Sequence, residues 1–231
     1  MEKFLTVVIP CLNEEKTIGI CIEKCLKIFK EYNIDGEVLI SDNGSTDNSV
    51  SIAEALGARV VHCVDKGYGN TLRCGFKAAD SKFVLMGDAD NTYDFLEIPL
   101  LLNKMDDNID MVIGTRLKGN IEKGAMPVLN RFLGTPVLTF VLNLLYGTKI
   151  SDSQCGMRLM RKASLDKIEF KTTGMEFASE LLVEFVKHKF TITETPISLL
   201  KGIENRIPHL NPWRDGMRHL IYLIKERFLL F

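Results

Sequence analysis

Residues 83–90 place the tightest limit on what this chain can fold into, because an apolar run there ends in two closely spaced carboxylates. Residues 82–86 are typical of a buried strand that ends at Gly87. Side chains two residues apart in an extended chain point the same way, so Asp88 and Asp90 can face one spot. Neighbouring carboxylates repel unless a cation or a proton lies between them, and hard oxygen ligands suit Mg²⁺ or Mn²⁺. The pattern is compatible with a metal–diphosphate site or with an acidic turn after the strand, and because Asp-x-Asp alone is common the rest of the chain has to decide between them.

Further apolar runs alternate with segments of helical periodicity through the first half of the chain. The runs predicted as strands cover residues 4–9, 37–41, 58–63 and 111–115. Helices are predicted between them, for example over residues 18–29 and 95–105. Strands that alternate with helices predict an α/β fold, with a mostly parallel sheet and helices on both of its faces. In such sheets ligands bind beyond the carboxyl ends of the strands, where the strand order switches.

Polar clusters follow three strands of the predicted sheet, at residues 10–15, 42–47 and 88–94. Because these strand ends share one edge, we expect the clusters to form one site. Pro10 should stop the first strand and expose the next backbone groups to a ligand, unless Asn13 merely caps a helix. Asp42 can accept hydrogen bonds from a uracil or guanine ring edge, or it can cap its own turn. Gly67 and Gly69 can cradle phosphate, but the chain has no P-loop and no GxGxxG after its first strand, which disfavours a dinucleotide oxidoreductase.

After the fifth predicted strand the alternation breaks. A long apolar helix is predicted over residues 129–145, as a core helix or a membrane-contacting one, and a short strand over 156–160. A strand at residues 191–199 contains Pro196, which predicts a position near the sheet edge. A final amphipathic helix begins near Trp213.

Charge and cysteine usage narrow the function classes. The 231 residues carry a formal net charge of −1, so no overall field draws the chain to nucleic acid. Two basic segments follow the acidic pair: residues 116–131 hold four Lys or Arg against one Asp or Glu, and residues 201–231 hold six against three. Six cysteines without a C-x-x-C pair predict buried, reduced thiols in a cytosolic protein. No signal peptide and no run long enough to cross a bilayer is found.

Seven motifs occur in order along nearly the whole chain. They are residues 7–15 (VVIPCLNEE), 41–47 (SDNGSTD), 67–69 (GYG), 87–90 (GDAD), 113–116 (IGTR), 151–158 (SDSQCGMR) and 212–220 (PWRDGMRHL). The set resembles the family 2 glycosyltransferases of the GT-A fold, and most closely their polyprenyl-phosphate (dolichyl-phosphate) mannosyl- and glucosyltransferase branch. One motif alone would be weak, but the ordered set is specific.

The resemblance implies a nucleotide-binding role for the first two polar clusters. Pro10, Leu12 and Glu14 correspond to the family's nucleotide-contacting loop. Asp42 and Asn43 correspond to its base-binding pair, in which an aspartate is usual where this chain has Asn43.

The resemblance also implies the metal and the closing loop. Asp88 and Asp90 correspond to the metal-binding Asp-x-Asp, which holds Mg²⁺ or Mn²⁺, and Ala89 lies against the nucleotide. The loop that closes over the donor usually supplies a basic residue, for which Arg206 is the first candidate and Lys201 the second.

For the acceptor, the resemblance implies that Arg116 and Arg131 clamp a phosphate and that Asp152 lies nearby. The implied reaction is inverting transfer of mannose or glucose from a UDP- or GDP-sugar to polyprenyl (dolichyl) phosphate. A phosphate oxygen is already largely anionic near neutral pH, because its second pKa is about 6, so it needs positioning more than a base. Alternatives are a hydroxyl acceptor with Asp152 as the base, and a non-catalytic nucleotide-sugar-binding module.

The resemblance further predicts one GT-A catalytic domain over residues 1–231. Residues 1–118 would bind the nucleotide sugar, residues 119–200 would form the acceptor side, and residues 201–231 would form a basic loop and a membrane-facing amphipathic helix. A lipid-phosphate acceptor must be met at a bilayer, so we expect a peripheral location at the cytoplasmic face of a membrane. The apolar C-terminus leaves three expectations open: a following membrane segment, a membrane-protein partner, or a soluble enzyme.

Overall fold

Seven strands form one sheet in the computed structural model, which describes residues 3–203 and 212–228. The strands are β1 (Lys3–Cys11), β2 (Gly36–Asp42), β3 (Arg59–His62), β4 (Ser81–Met86), β5 (Met111–Thr115), β6 (Arg158–Arg161) and β7 (Ile192–Pro196). Their order across the sheet is β3-β2-β1-β4-β6-β5-β7. β6 runs antiparallel to β4 and β5, and the other pairs are parallel. The prediction of a mostly parallel α/β sheet is therefore confirmed, and β7 lies at an edge as its proline predicts.

Helices surround this sheet because both of its faces are apolar. Successive strand residues point to opposite faces, and Val7, Val8 and Ile9 are all fully buried. The helices are α1 (Ile18–Glu31), α2 (Ser49–Ala55), α3 (Tyr68–Ala78), α4 (Ile98–Leu102), α5 (Thr135–Tyr146), α6 (Lys162–Leu165), α7 (Phe177–Lys187) and α8 (Pro212–Phe228). A 3₁₀ turn precedes α4 at Phe95–Glu97, and a π-helical turn precedes α5 at Asn130–Gly134.

Pro10 departs from the prediction, and Pro99 affects the start of a predicted helix. Pro10 does not end β1, which continues to Cys11. The ladder between β1 and β4 ends with Val8 opposite Met86, so the missing N–H of Pro10 removes no hydrogen bond on that side. Pro99 divides the helix predicted over residues 95–105 into the 3₁₀ turn and the short α4, because its ring cannot continue the preceding turn.

The cysteines are not all reduced thiols, so that prediction is wrong for one pair. Cys63 and Cys74 form a disulfide between the residue after β3 and helix α3. Their separation of 11 residues shows no recognisable spacing in the sequence, but the fold brings the Cα atoms to 6.0 Å, within the range a disulfide needs. The other four are buried free thiols: Cys11, Cys21, Cys25 and Cys155. Burial raises the pKa of Cys21 to about 12, so this thiol stays protonated.

Helix α8 packs on α5 and α7. The Tyr146 hydroxyl donates to the Leu223 carbonyl (2.8 Å), and His219 Nδ1 lies 2.8 Å from Ser179 Oγ. The apolar side chains that remain exposed on the helix are Trp213, Met217, Ile221, Ile224 and Phe228. The final helix is amphipathic, as predicted. Within residues 3–203 and 212–228, every helix is too short or too polar to span a bilayer.

Candidate active site

A cavity of about 520 Å³ opens where β1 and β4 end. β1 lies between β2 and β4, so the order of the strands reverses at this point of the sheet. Open α/β sheets bind ligands in the crevice at such a switch point. The predicted residues that line the cavity are Pro10, Leu12, Glu14, Asn43, Asp88, Ala89 and Asp90. The structure therefore brings most of the predicted donor site together.

The acidic pair is held by neighbours on both sides. The Tyr68 hydroxyl donates to Asp88 Oδ1 (2.9 Å). Burial, and then the charge of Asp88, raise the pKa of Tyr68 well above its usual value, so the hydroxyl keeps its proton. Asp90 Oδ1 accepts from the backbone N–H (3.0 Å) and the hydroxyl (2.6 Å) of Thr92. A Cβ at Gly156 would lie 2.7 Å from Asp88 Oδ2, so glycine is required for this close approach.

The donor set of the pair fits a divalent cation that also binds its substrate. In the part of the chain that the structure describes, no group of three or more His, Cys, Asp or Glu side chains converges on one point. The chain therefore offers Mg²⁺ or Mn²⁺ two carboxylates rather than a closed cage. Mg²⁺ is typically held in this way, by one or two carboxylates with water and substrate phosphate.

The first two polar clusters both line the cavity, and they are joined to each other by hydrogen bonds. Asn13 has a φ of 57°, a left-handed conformation that asparagine tolerates. Its Oδ1 accepts from the backbone N–H of Thr46 (2.7 Å), and its own N–H donates to Ser45 Oγ (3.0 Å). The N–H of Glu14 donates to Ser49 Oγ (2.8 Å). Asn13 thus fixes the second loop, and the N-cap of α1 is Thr17 instead.

Asp42 and Asn43 take different positions. Asp42 is buried beneath the cavity and accepts from the backbone N–H groups of Gly44 and Ser45 (both 3.0 Å). Burial by itself raises the pKa of Asp42, but its hydrogen bonds, among them one with His62, outweigh burial and lower that pKa below its usual value. Asp42 therefore shapes the turn.

Asn43 lines the cavity and uses both ends of its amide. Its Nδ2 donates to the carbonyls of Cys63 (3.3 Å) and Asp65 (2.8 Å), and its Oδ1 accepts from the N–H of Gly67 (2.9 Å). A carboxylate at this position would lose both donated bonds. The departure from the family's aspartate therefore has a structural reason, because the amide orders the loop that carries Lys66.

Arg116 and Asp152 form a buried bidentate pair behind the cavity. Arg116 Nε donates to Asp152 Oδ2 (2.7 Å) and Nη2 to Oδ1 (2.8 Å), and the Arg116 N–H also donates to Oδ2 (3.0 Å). The Tyr93 hydroxyl lies 3.5 Å from Arg116 Nη1 and accepts from the N–H of Gly156 (2.7 Å). Gly156 in turn leaves the space next to Asp88 that a Cβ would fill. The pair is linked to the acidic site but does not line its cavity.

The remaining predicted cations lie apart. Arg131 is exposed on the π-helical turn, with its guanidinium 5.5 Å from the centre of the Phe132 ring, and it makes no described contact with Arg116. The backbone N–H of Lys201 donates to Glu122 Oε2 (2.7 Å), and its side chain is exposed. Arg206 lies outside the described residues.

Sequence reasoning missed the cations that do line the cavity. Lys66 reaches it from the loop after β3, where its Nζ donates to the carbonyl of Asn43. Arg214 and Arg218 reach it from α8. The spacing of the two arginines, one helical turn apart, was the available signal, because such residues share a helix face. The motif at residues 212–220 is part of the family resemblance, but the resemblance implied no role for either arginine.

A second cavity, of about 330 Å³, lies between α8 and the π-helical turn that leads into α5. Its wall is mainly apolar and includes Leu129, Leu133, Val137, Trp213, Met217 and Leu220. Asp215, which is buried, lines both this apolar groove and the first cavity. The two cavities are therefore neighbours that meet at one residue of α8.

A cavity at the sheet's switch point with an Asp-x-Asp at its edge is the arrangement that the resemblance implies, and comparison with known proteins shows the family. The family model "Glycosyl transferase family 2" matches residues 6–169. This chain belongs to that family.

Relatives of known name support the same grouping. The chain is 40% identical over 223 residues to the low-salt glycan biosynthesis hexosyltransferase Agl6 of Haloferax volcanii, which covers 95% of this chain and 53% of that protein. It thus spans about half the length of that relative. It is 34% identical over 197 residues to a dolichyl-phosphate hexose transferase of the same organism, covering 84% of this chain and 81% of the relative.

Solved structures agree in fold. Glucosyl-3-phosphoglycerate synthase from Mycobacterium tuberculosis, in complex with Mn²⁺, UDP and glucosyl-3-phosphoglycerate, superposes with a TM-score of 0.76 at 23% identity, over 97% of this chain and 80% of that one. The same enzyme with Mg²⁺ and UDP gives 0.74 at 22% identity, over 97% and 79%. At this identity the likeness concerns the fold, and it confirms the predicted GT-A architecture.

Proposed function

We propose that this chain is an inverting, metal-dependent hexosyltransferase that moves mannose or glucose from a nucleotide sugar to polyprenyl (dolichyl) phosphate. The observation that carries the proposal is the cavity at the switch point, where Asp88 and Asp90 lie beside Pro10, Leu12 and Asn43. The names of the two Haloferax relatives support hexosyl transfer and a dolichyl-phosphate acceptor. The whole length, residues 1–231, would act as one catalytic unit.

On the donor side, Asp88 and Asp90 would hold Mg²⁺ or Mn²⁺, which when bound neutralises the charge of the departing diphosphate. The ions and UDP in the mycobacterial synthase structures support this assignment. The chain's own residues orient the nucleotide. Asn43 orders the loop that carries Lys66 into the cavity, and the small, buried Ala89 leaves room for close approach between the two acids.

On the acceptor side, we assign Arg116 to the acceptor phosphate and Asp152 to the positioning of Arg116. Both oxygens of Asp152 accept from the guanidinium, which holds the fork in one orientation. A carboxylate used in this way is a poor general base, and a phosphate acceptor needs none. This pairing favours the phosphate acceptor over the hydroxyl acceptor. Arg131 would supply a second, more distant cation beside the apolar groove.

The outer surface of α5 and α8 suits a lipid acceptor. The apolar side chains exposed there include Phe132, Phe140, Leu144, Trp213, Met217 and Ile221. An exposed apolar face with basic residues nearby is typical of a helix that lies in a membrane interface. We propose that this face rests on the cytoplasmic leaflet and that the apolar groove receives the first part of the polyprenyl chain.

The test is a transfer assay with labelled UDP- and GDP-hexoses, Mn²⁺ and short-chain polyprenyl phosphate. Lipid-linked hexose is expected, with inversion at the anomeric carbon. Donor hydrolysis without lipid product would instead favour a hydroxyl acceptor. Donor binding without any turnover would favour the non-catalytic binding module and overturn the proposal.

A further inference from the structure

Helix α8 presents two arginines to the donor cavity. Arg214 and Arg218 both line it, beside Gly174 and Met175 of the segment before α7. All four lie beyond residue 169, where the family match ends, so that match assigns them no role. They form a wall of the cavity separate from the ends of β1 and β4.

Arg218 is held in place by its surroundings. Its Nη2 donates to Glu176 Oε1 (2.9 Å), and its side chain is 41% exposed. A Cβ at Gly174 would lie 2.4 Å from Arg218 Nη2 and 2.7 Å from its Cζ, so glycine leaves the space that the guanidinium fills. A guanidinium carries five N–H donors, and the described bond to Glu176 uses one nitrogen. Arg218 is thus oriented and still has donors for a ligand.

Arg214 is oriented from within its own helix. Its Nε donates to Oδ1 of Asp215 (3.3 Å), whose side chain is 1% exposed, whereas the Arg214 side chain is 67% exposed. The buried carboxylate therefore orients the guanidinium of a side chain that lines the cavity. Asp215 also lines the apolar groove, so this arginine lies where the two cavities meet.

The arrangement has an electrostatic consequence. Arg214 is paired with Asp215 and Arg218 with Glu176, so one carboxylate offsets the charge of each guanidinium and the two cations can lie one helical turn apart. The planar fork of a guanidinium matches the oxygens of a phosphoryl group or of a carboxylate in bidentate geometry. Lys66 lines the same cavity and adds a third cation.

We propose that Arg214 and Arg218 bind a phosphoryl group in the donor cavity, with Gly174 and Glu176 positioning Arg218. The inference rests on the proposed function, which supplies two such groups: the diphosphate of the nucleotide and the phosphate of the lipid acceptor. Arg218 faces the cavity that holds Asp88 and Asp90, and Arg214 lies at the boundary with the apolar groove. Oriented arginines would bind either phosphoryl group by the same hydrogen bonds. The two arms of the experiment distinguish the nucleotide diphosphate from the phosphate of the lipid acceptor.

The experiment measures binding of UDP and GDP with Mn²⁺ by calorimetry, without acceptor, and in a second arm the KM for short-chain polyprenyl phosphate. Arg214→Gln and Arg218→Gln should each weaken nucleotide binding, raise the KM for polyprenyl phosphate, or do both, by at least tenfold. Arg218→Lys, which keeps the charge but not the fork, should lie between. Gly174→Ala keeps every charge but displaces the guanidinium, and should resemble Arg218→Gln. Lys225→Gln is the matched control, because Lys225 is exposed on the same helix and does not line the cavity.

A salt series separates recognition from a structural effect. Binding by the wild type should weaken as ionic strength rises, and the slope should flatten in both glutamine variants but not in Lys225→Gln. Weakened nucleotide binding assigns the arginines to the donor, and a raised KM for the lipid phosphate alone assigns them to the acceptor. If the wild type binds and both glutamine variants bind equally well in both arms, the inference is overturned while the proposed function stands. If the wild type binds neither class of phosphate, both fail.

Discussion

The donor cavity has two halves that are built by different means. The strand half consists of loops that directly follow β1 and β4, whose positions are set by ladder pairs such as Val8 with Met86. The helix half comes from α8 and the residues before α7, and side-chain contacts such as Arg218 with Glu176 hold it. Many backbone hydrogen bonds fix the position of the strand half, whereas a few side-chain contacts fix the helix half. The strand half should therefore tolerate change around it better than the helix half.

The strand half is reinforced from outside the sheet as well. Cys21 Sγ on α1 donates to the carbonyl of Ala89 (3.4 Å), at the centre of the Asp-x-Asp. Lys24, one turn further on, donates to Asn91 Oδ1 (2.9 Å) and pairs with Asp94 (3.0 Å). Helix α1 thus holds the backbone between the two acids and two of the side chains that follow them.

The largest expected effect falls on chemistry in the strand half. Asp90→Asn should lower hexosyl transfer by about 10²- to 10³-fold, on the order of 3–4 kcal/mol, because it removes a ligand charge from the proposed metal site. The melting temperature should hardly change, since the ladder positions this loop and Asn can still accept from Thr92. Transfer rates and thermal melts check both parts. Asp107→Asn, on an exposed turn, is the control. Unchanged Mn²⁺-dependent donor binding in Asp90→Asn would remove the metal role.

Next in size is the pair behind the cavity, which belongs to neither half. Asp152→Ala should lower the free energy of unfolding by about 3 kcal/mol, because it leaves the Arg116 guanidinium, which is only 11% exposed, without its carboxylate. Denaturant titration measures this. Lys118→Ala, which breaks a pair with an exposed lysine, should cost about 1 kcal/mol or less. An equally small cost for Asp152→Ala would mean that water reaches the pair and that the acceptor assignment of Arg116 lacks its rigid support.

The helix half should lower the free energy of unfolding of the protein at mildly acidic pH. Burial lowers the pKa of His219 from about 6.5 to about 4, so the folded chain keeps this residue neutral where the unfolded chain protonates it. The stability that depends on neutral His219 is present above pH 6.5 and is lost as pH falls to about 4. The loss is on the order of 3 kcal/mol in total. Denaturation curves between pH 7 and pH 4 test this, and His219→Gln should flatten the slope. A wild-type slope that survives in the variant would contradict it.

The smallest effect concerns the disulfide beside the strand half. Opening Cys63–Cys74 should lower the free energy of unfolding by about 2–3 kcal/mol, because the bridge closes a short loop in the unfolded chain. Thermal melts with and without reductant measure it, and a Cys63→Ser, Cys74→Ser double variant should no longer respond to reductant, since the other thiols are buried. Donor affinity should change little, because Asn43 independently holds the intervening loop. A large loss of donor affinity would show that the strand half also depends on few contacts.

Much of the strand half was predictable from the sequence. The apolar runs, the polar clusters after them and the Asp-x-Asp all occur within short stretches, so periodicity and spacing locate them. The ends of elements were less predictable: whether Pro10 stops β1 depends on where the neighbouring strand β4 ends, which lies some 75 residues away and is not a local property. The role of Asn43 was likewise hidden, because its partners belong to a loop ordered only in the fold.

The amino-acid sequence by itself determined the class of fold, the location of the site at the carboxyl ends of the strands, and the acidic pair. Each of these features depends on residues that are close together in the sequence. Only the tertiary structure decided which cations face that pair. Arg116 was drawn into a buried bond with Asp152, while Arg214 and Arg218 were brought to the cavity by the packing of α8 against α7. The physical reason is that a charge acts through its distance to other charges, and distances between residues far apart in the chain are set only when the helices pack.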